Sequence, residues 1–248
     1  VERVGGCVAG LWENSMDHGR KGEVGEMVVN ALPVGRDGGA SSGVISNGAV
    51  ADEVIRDDAV HDGEPPLKVL GKKVMYQEQG GADFAVTQVA LEDVATGNHF
   101  AVHYASVKGA RTGAVCVAER DGRVLLARHW RVSTGSWECE FPRGMGGPGE
   151  TPEQTALREF HEETGLHADA DSAAVLQRMH AGPGVMKDSI AVVGLNVSEV
   201  TPDAGRDWEL SHLTWCSVQT MDQMIAAGSI ADGITLAAYT IWRLRGRA

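Results

Sequence analysis

Apolar and polar positions follow two different periods along this chain. Between residues 67 and 108 the runs VLGKKVMYQ, FAVTQVALEDV and HFAVHYASV show partial alternation and are separated by QGGAD and ATGN. Alternation with a period of two marks half-buried strands, and Gly/Asn/Asp clusters mark the turns between them. Three strands joined by short turns are not stable alone, so this region needs the following domain or a second subunit to cover one face. From 109 onward the pattern is mixed. GAVCVAER and RVLLARHW flank Asp121-Gly122, a hairpin signal. WECEFPRG leads into a glycine-rich loop, and AAVLQRM, IAVVGLNVSEV and HLTWCSV read as further strands. A helix is expected from about Gln219 to Ala227. A final one is expected in ADGITLAAYTIWRLRGR, with Ile234, Leu236, Ala237, Tyr239, Ile241 and Leu244 as its apolar positions. Its basic end suits the negative pole of the helix dipole. A mixed sheet with helices places the chain in the α/β (α+β) class.

The stretch with the clearest helical period is PEQTALREFHEET, Pro152 to Thr164. Thr151 is the expected N-cap, Pro152 takes the first helical position, and Gln154 completes a capping box. Gly165 suits the left-handed residue that ends a helix. At about 100° per residue, Glu159, Glu162 and Glu163 share one face. Thr155 lies close to that face, and Ala156, Leu157, Phe160 and Thr164 form the neighbouring, mostly apolar one. Each close pair of like charges costs a few tenths of a kcal/mol on an exposed helix, so the cluster is best tolerated with a cation in it. All-oxygen ligands select hard cations, Mg²⁺ or Mn²⁺. The alternative is a surface helix with a solvated acidic face. Ahead of the helix, Gly144, Gly146, Gly147 and Gly149 form a loop that allows close approach of backbone to a ligand. Such a loop entering a helix N-terminus suits phosphate. Loop, carboxylates and helix together point to a metal-dependent reaction at a phosphate.

Composition and charge narrow the picture. At 248 residues, 43% hydrophobic and 23% charged, the chain can bury one sizeable core with a small second domain. Its formal charge of −12 repels nucleic acid and anionic membrane, whereas a small anionic substrate remains accessible once divalent ions reverse the local field. Residues 1–66 hold 12 glycines, 12 acids and 5 bases. They include a linker-like GRDGGASSG and the acidic, turn-rich DEVIRDDAVHDGEPP, so this segment is expected to be weakly ordered. Cysteines 7, 116, 139 and 216 show no paired spacing and read as reduced cytosolic residues. No apolar run reaches the length of a membrane span. The opening VERVGGCVAGLWENS carries an acid and lacks the apolar core of a signal, so the cytoplasm is the expected compartment.

The segment Gly144–Leu166 resembles the Nudix box, G-x5-E-x7-R-E-U-x-E-E-x-G-U, where U is a bulky apolar residue. Gly144, Glu150, Arg158, Glu159, Phe160, Glu162, Glu163, Gly165 and Leu166 fill every defined position. Flanking features resemble the ADP-ribose pyrophosphatases of that family. These are Gly113-Ala114-Val115 followed by RVLLARHWR, Glu140-Phe141-Pro142-Arg143-Gly144, Pro183-Gly184 after the box, and the C-terminal GSIADGITLAAYTIWRL. The resemblance runs from about 68 to 245. It departs at Arg143, where the family has Ala, at His129-Trp130 in place of Gln-Tyr, and at Asp188 where many relatives have Glu.

The resemblance implies an α/β/α sandwich around a mixed sheet over 109–248, preceded by a small antiparallel β-subdomain over 67–108 that helps build a homodimer. It implies Mg²⁺-dependent hydrolysis of a small nucleoside diphosphate, ADP-ribose first, to AMP and ribose 5-phosphate. The alternatives are another nucleoside diphosphate linked to X, or a non-catalytic sensor of such ligands. Glu159 and Glu163 are the expected metal ligands, with Glu162 supporting or sharing a second ion. The family implies that residue 143 offers its backbone carbonyl to a metal, which Arg143 can supply. Glu150 and Arg158 read as a structural pair that holds the loop, with Arg158 also orienting a catalytic Glu; Glu150 as a direct ligand is the alternative. The implied proton acceptor is an acid in the later loop TPDAGRDWELS, which offers Asp203, Asp207 and Glu209, with Glu209 or Asp207 favoured. Arg131 is suited to gripping a phosphate or to a surface salt bridge, and Glu140 to hydrogen-bonding a ribose or adenine edge or to being a sheet-edge carboxylate. Gly144 and Pro183 complete the expected substrate contacts. For adenine, Tyr76, Phe84, Tyr104 and Trp130 are candidates, each with core packing as its competitor. His161 is expected to be solvated on the outer side of the helix.

Overall fold

The computed structural model describes residues 63–78, 80–199 and 210–245; nearly all belong to one compact unit, Glu64–Ala248. The alternating runs near the start form a three-stranded antiparallel sheet of β1 (Leu67–Gln77), β2 (Ala85–Asp93) and β3 (His99–Ser106), in the order β1-β2-β3. Thr87, Val89 and Leu91 of β2 are buried, whereas β1 is exposed along its whole length.

A seven-stranded mixed sheet follows. It contains β4 (Gly113–Arg120), β5 (Arg123–Arg131), β6 (Ser136–Glu140), β7 (Arg143–Gly144), β8 (Ala174–Met179), β9 (Ile190–Asn196) and β10 (Leu210–Ser217). The central order is β10-β5-β4-β9-β8. The β4–β5 hairpin turns at Asp121 and Gly122, both left-handed with φ of 51° and 70°, as an Asp-Gly turn of this type requires. The two strands then part. They pair only at Glu119↔Val124 and Arg120↔Arg123. Further along, the same edge of β5 pairs with β6, and the same edge of β4 pairs with β7 through Ala114↔Gly144 and Val115↔Arg143. Residues 136–144 thus form a wedge in the fork of the hairpin. β4 and β9 run parallel through the centre.

Helix α1 (Pro152–Thr164) covers one face of this sheet. The capping box of Thr151 with Gln154 forms, and Gly165 closes the helix at φ 69°. Alternation along β4 separates the two sides. Ala114, Cys116 and Ala118 join Ala156, Phe160 and Leu166 on the α1 side. The small side chains let the helix approach so closely that the Cys116 thiol donates to the Ala156 carbonyl at 3.4 Å. Val115 and Val117 face the opposite core, with Met221 of α2 (Val218–Ala226) and Ala238, Tyr239 and Trp242 of α3 (Gly233–Arg245). The architecture is the expected α/β/α sandwich around a mixed sheet.

Two expectations need correction. The inward face of α3 is Thr235, Ala238, Tyr239 and Trp242, spaced i, i+3, i+4, i+7. Leu244 is 80% exposed, because it lies off that stripe once Trp242 takes the last inward turn. Among the candidate aromatics, Tyr76 is 57% exposed and Trp130 is 39% exposed, so neither is packed in a core. Trp130 sits edge-on to Trp137, with ring centres 5.6 Å apart.

Phe160 is fully buried between α1 and β4. Phe160→Ala is expected to cost about 3–5 kcal/mol, read as a lower urea midpoint at unchanged slope. A loss below about 1 kcal/mol would contradict this packing of α1.

Candidate active site

The wedge and the helix meet at Arg143 and Gly144. The Arg143 backbone N–H donates to Glu163 Oε2 at 3.0 Å. Gly144 lies so close to Glu159 that a Cβ there would overlap its carboxylate; only glycine fits, which is the close approach its place in the sequence suggested. Two neighbouring carboxylates of α1 are therefore turned inward against backbone. The third, Glu162, is 56% exposed.

Arg158 organises the entry to the helix. Its Nε and Nη2 each donate to Glu150 at 2.8 Å, Nη1 donates to Glu159 at 2.8 Å and to Glu162 at 3.0 Å, and Nη2 also reaches the Met145 carbonyl at 3.1 Å. Glu150 accepts in addition from the Gly147 N–H at 2.7 Å and from the Thr155 hydroxyl at 3.1 Å. These donors, the Arg158 fork first, hold the Glu150 carboxyl down to about 2. Glu150 is thus saturated by the loop, as the structural-pair reading expected.

The buried carboxyls behave differently. Desolvation is the main force on Glu163. It pushes the group up to about 8, aided by the charge of Glu159 and opposed by the Arg143 N–H. Glu159 is raised as well, by burial against the pull of Arg158. Two inward carboxyls, both raised by burial despite the Arg158 donor on Glu159, fit a divalent cation, which would favour the ionised form of both. Among the described residues no three His, Cys, Asp or Glu side chains already converge as a metal cage, because Arg158 stands among Glu150, Glu159 and Glu162.

Beneath the wedge lies a second charged group. Glu140 is only 2% exposed. Arg131 grips it with two donors, Nε to Oε1 at 2.8 Å and Nη2 to Oε2, and Arg143 Nη2 donates to Oε2 at 2.7 Å. Arg143 extends to Asp232 as well, 3.3 Å away. Asp232 caps α3 by accepting from the Thr235 N–H at 2.8 Å and the Thr235 hydroxyl at 2.7 Å, and Thr235 in turn accepts from the Phe141 N–H at 3.1 Å. Glu140 is therefore a buried carboxylate at the end of β6, and the partner of Arg131 is this buried group, not a surface acid. Pro183 stands exposed in a turn that bridges to β3 through Ala105 and Met186. His161, expected in solvent, stacks on His167 at 4.1 Å. Asp203, Asp207 and Glu209 lie outside the described residues.

The structure brings Arg158, Glu159, Glu162, Glu163, Glu150, Gly144 and Arg143 together as neighbours. Asp232 and Thr235 are additions that the sequence reading did not contain. The signal was present as D-x-x-T, a polar cap and its third residue at the start of a helix.

Fold and site together define a class, α/β/α sandwiches that carry a glutamate-rich helix behind a glycine loop. The model of the NUDIX domain matches residues 108–236, and the chain belongs to the Nudix family, hydrolases that generally use a divalent metal ion. Nucleoside diphosphate-linked moiety X motif 6 of Xenopus laevis is 32% identical over 90 residues, 36% of this chain and 38% of that protein. The NAD-capped RNA hydrolase NudC of Vibrio parahaemolyticus is 26% identical over 188 residues, 71% of this chain and 67% of its own length. An ADP-ribose pyrophosphatase of Bacillus subtilis is 29% identical over 126 residues, 51% of this chain and 66% of that enzyme. This chain thus spans 38% of the Xenopus relative and about two thirds of the other two. A crystal structure of an ADP compounds hydrolase shares the fold, with a TM-score of 0.62 at 20% identity over 74% of this chain and 97% of that one. No helix among the described residues is long and apolar enough to cross a membrane.

The raised carboxyl of Glu163 has a measurable consequence. Its proton is kept to about pH 8 in the folded state and lost near 4.5 in the unfolded chain. The stability it contributes is complete below the unfolded value and is lost as pH rises through about 8. Metal-free protein should therefore lose thermal stability across that window, and Glu163→Gln should flatten the slope. Equal slopes in the two proteins would refute the assignment.

Proposed function

We propose that this chain is a Mg²⁺-dependent pyrophosphatase that hydrolyses ADP-ribose to AMP and ribose 5-phosphate. The observation that carries this is the inward pair Glu159 and Glu163, held against the backbone of Arg143 and Gly144 behind a glycine loop. The relative named an ADP-ribose pyrophosphatase supports the substrate. Glu159 and Glu163 would hold the cation, with Glu162 at the exposed side and the Arg143 carbonyl as a further oxygen. When bound, Mg²⁺ (or Mn²⁺) neutralises diphosphate oxygens and lowers the pKa of the attacking water. Arg158 keeps the glycine loop and the carboxylates in register.

Water adds to one phosphorus, the bond from that phosphorus to the bridging oxygen breaks, and the bridging oxygen leaves on the other phosphate. The water proton passes to a base, assigned to Glu209 or Asp207. Arg131 spends Nε and Nη2 on Glu140, and its remaining Nη1 is assigned to a substrate phosphate. Gly144 and Pro183 line the approach. Cytoplasmic residence and a homodimer belong to the same reading. The dimer rests on β1, whose Val69, Val74, Met75 and Tyr76 are exposed, an apolar stretch that a second copy would cover.

The Vibrio relative's name supports a second reading, in which the group beyond the diphosphate is an RNA. The formal charge of −12 weighs against a long polyanion.

Product analysis decides between them. Purified protein is given ADP-ribose, nucleotide sugars, dinucleotides and an NAD-capped oligonucleotide, each with and without Mg²⁺. AMP with ribose 5-phosphate, formed only with metal and fastest from ADP-ribose, is the expected result. Faster cleavage of another compound would replace the substrate, and binding without turnover of any would favour a sensor. Glu163→Gln should lose more than about a hundredfold in kcat with the fold intact, since metal-borne charge stabilisation is worth several kcal/mol. For the dimer, Val74→Asp should give a monomer by sedimentation; a wild-type monomer at micromolar concentration would remove that part of the reading.

A further inference from the structure

The segment Phe141-Pro142-Arg143 is held by its backbone on three sides. The Phe141 N–H donates to the Thr235 hydroxyl at 3.1 Å, the Pro142 carbonyl accepts from the Cys116 N–H at 2.8 Å, and the Arg143 N–H donates to Glu163 Oε2 at 3.0 Å. None of these contacts fixes the Arg143 guanidinium. That group sits on two acids. Its Nη2 lies 2.7 Å from Glu140 Oε2 and 3.3 Å from Asp232 Oδ1, and its Nη1 donates to Asp232 Oδ2 at 3.4 Å.

Glu140 cannot balance Arg143 alone, because Arg131 already donates to both of its oxygens. One carboxylate faces two guanidinium groups, and Asp232 supplies the second negative charge. Asp232 also caps α3, its Oδ2 accepting from the Thr235 N–H and hydroxyl. Asn or Ser would cap that helix about as well. The negative charge is what Arg143 requires beyond the cap. The Asp232 and Arg143 side chains are only 14% and 18% exposed, so salt and water screen this pair far less than a surface one.

An Arg143 released from Asp232 has another acid beside it. Glu163 Oε2 touches the backbone N–H of the same residue, well inside the reach of an arginine side chain. Burial dominates at Glu163, yet the Arg143 charge already acts on it from where it is held. A guanidinium and a divalent cation are rivals for the same carboxylate oxygens.

We propose that Asp232 is a positioning residue for the cation site: its carboxylate holds the Arg143 guanidinium on the scaffold side and keeps that charge from competing with a divalent cation for Glu163. This rests on the reading of Glu159 and Glu163 as the cation site.

Mn²⁺ binding to the full chain tests it, followed through the electron paramagnetic resonance signal of the free ion. Asp232→Asn keeps the cap and removes the charge. It should bind Mn²⁺ about tenfold more weakly than the wild type, or worse, as expected when a group behind a metal ligand is lost. Adding Arg143→Ala to Asp232→Asn removes the rival charge and should restore affinity. A merely structural role for Asp232 would leave the double variant no better than the single one. If the Asn protein melts much lower, Asp232→Ser repeats the measurement. Ser217→Ala controls for general loosening. Ser217 caps α2 by accepting from the Thr220 N–H at 3.1 Å, so its loss should lower the melting temperature and leave Mn²⁺ affinity unchanged. Wild-type affinity in the uncharged Asp232 variants, a double variant no tighter than Asp232→Asn, or equal weakening in Ser217→Ala would each overturn the proposal while the cation site stands. No Mn²⁺ binding by the wild type would overturn both.

Discussion

Burying a carboxylate costs several kcal/mol unless its oxygens are paired, and this fold buries Glu140 to 2% exposure. Both oxygens are satisfied, by a two-donor grip from Arg131 and one donor from Arg143. Asp232 balances the second arginine, so two positive and two negative groups neutralise each other inside the fork of the β4–β5 hairpin. That arrangement pins the wedge. With the wedge pinned, the Arg143 N–H reaches Glu163 and Gly144 presses on Glu159. The geometry of the carboxylates on α1 depends on a charge cluster that contains none of them except through backbone.

The two groups of carboxylates are handled in opposite ways. Glu150 and Glu140 are saturated with donors and serve as scaffolding, with Glu150 held well below the usual carboxylate range by the Arg158 fork. Glu163 receives one backbone donor and is left to desolvation. A carboxyl left with one backbone donor keeps oxygen positions open to a cation, as the proposed function requires. Arg158 marks the boundary: it saturates Glu150 and reaches Glu159 and Glu162 with a single nitrogen.

Much of this was legible in the chain because it is local. The capping box, the closing glycine and the i, i+3, i+4 carboxylates all lie within one helix, and α1 forms with the expected bounds. The hairpin at Asp121-Gly122 is equally local. The burial of Glu140 was not legible, because its partners are fixed by topology. Arg131 faces it only when β5 and β6 pair, and Asp232 comes from α3, far along the sequence. The inward face of α3 was likewise set by packing: Thr235 and Ala238 are not the most apolar residues available, but they sit on the side where Tyr239 and Trp242 meet the core. The exposure of β1 was not legible either, since a strand's apolar content does not say what covers it.

The arginine at 143 shows how a departure from a family pattern can be absorbed. Its backbone does what any residue there could do for Glu163. Its side chain, which a small residue would lack, is consumed by Glu140 and by Asp232, and Asp232 is independently required as the cap of α3. The extra charge is therefore paired inside the scaffold, and its pull on Glu163 is outweighed by desolvation. A diphosphate approaching Glu159 and Glu163 meets arginines whose donors are largely spent on glutamates. Such a ligand would need positive charge from a cation on those two carboxylates and from the one Arg131 nitrogen that Glu140 does not engage.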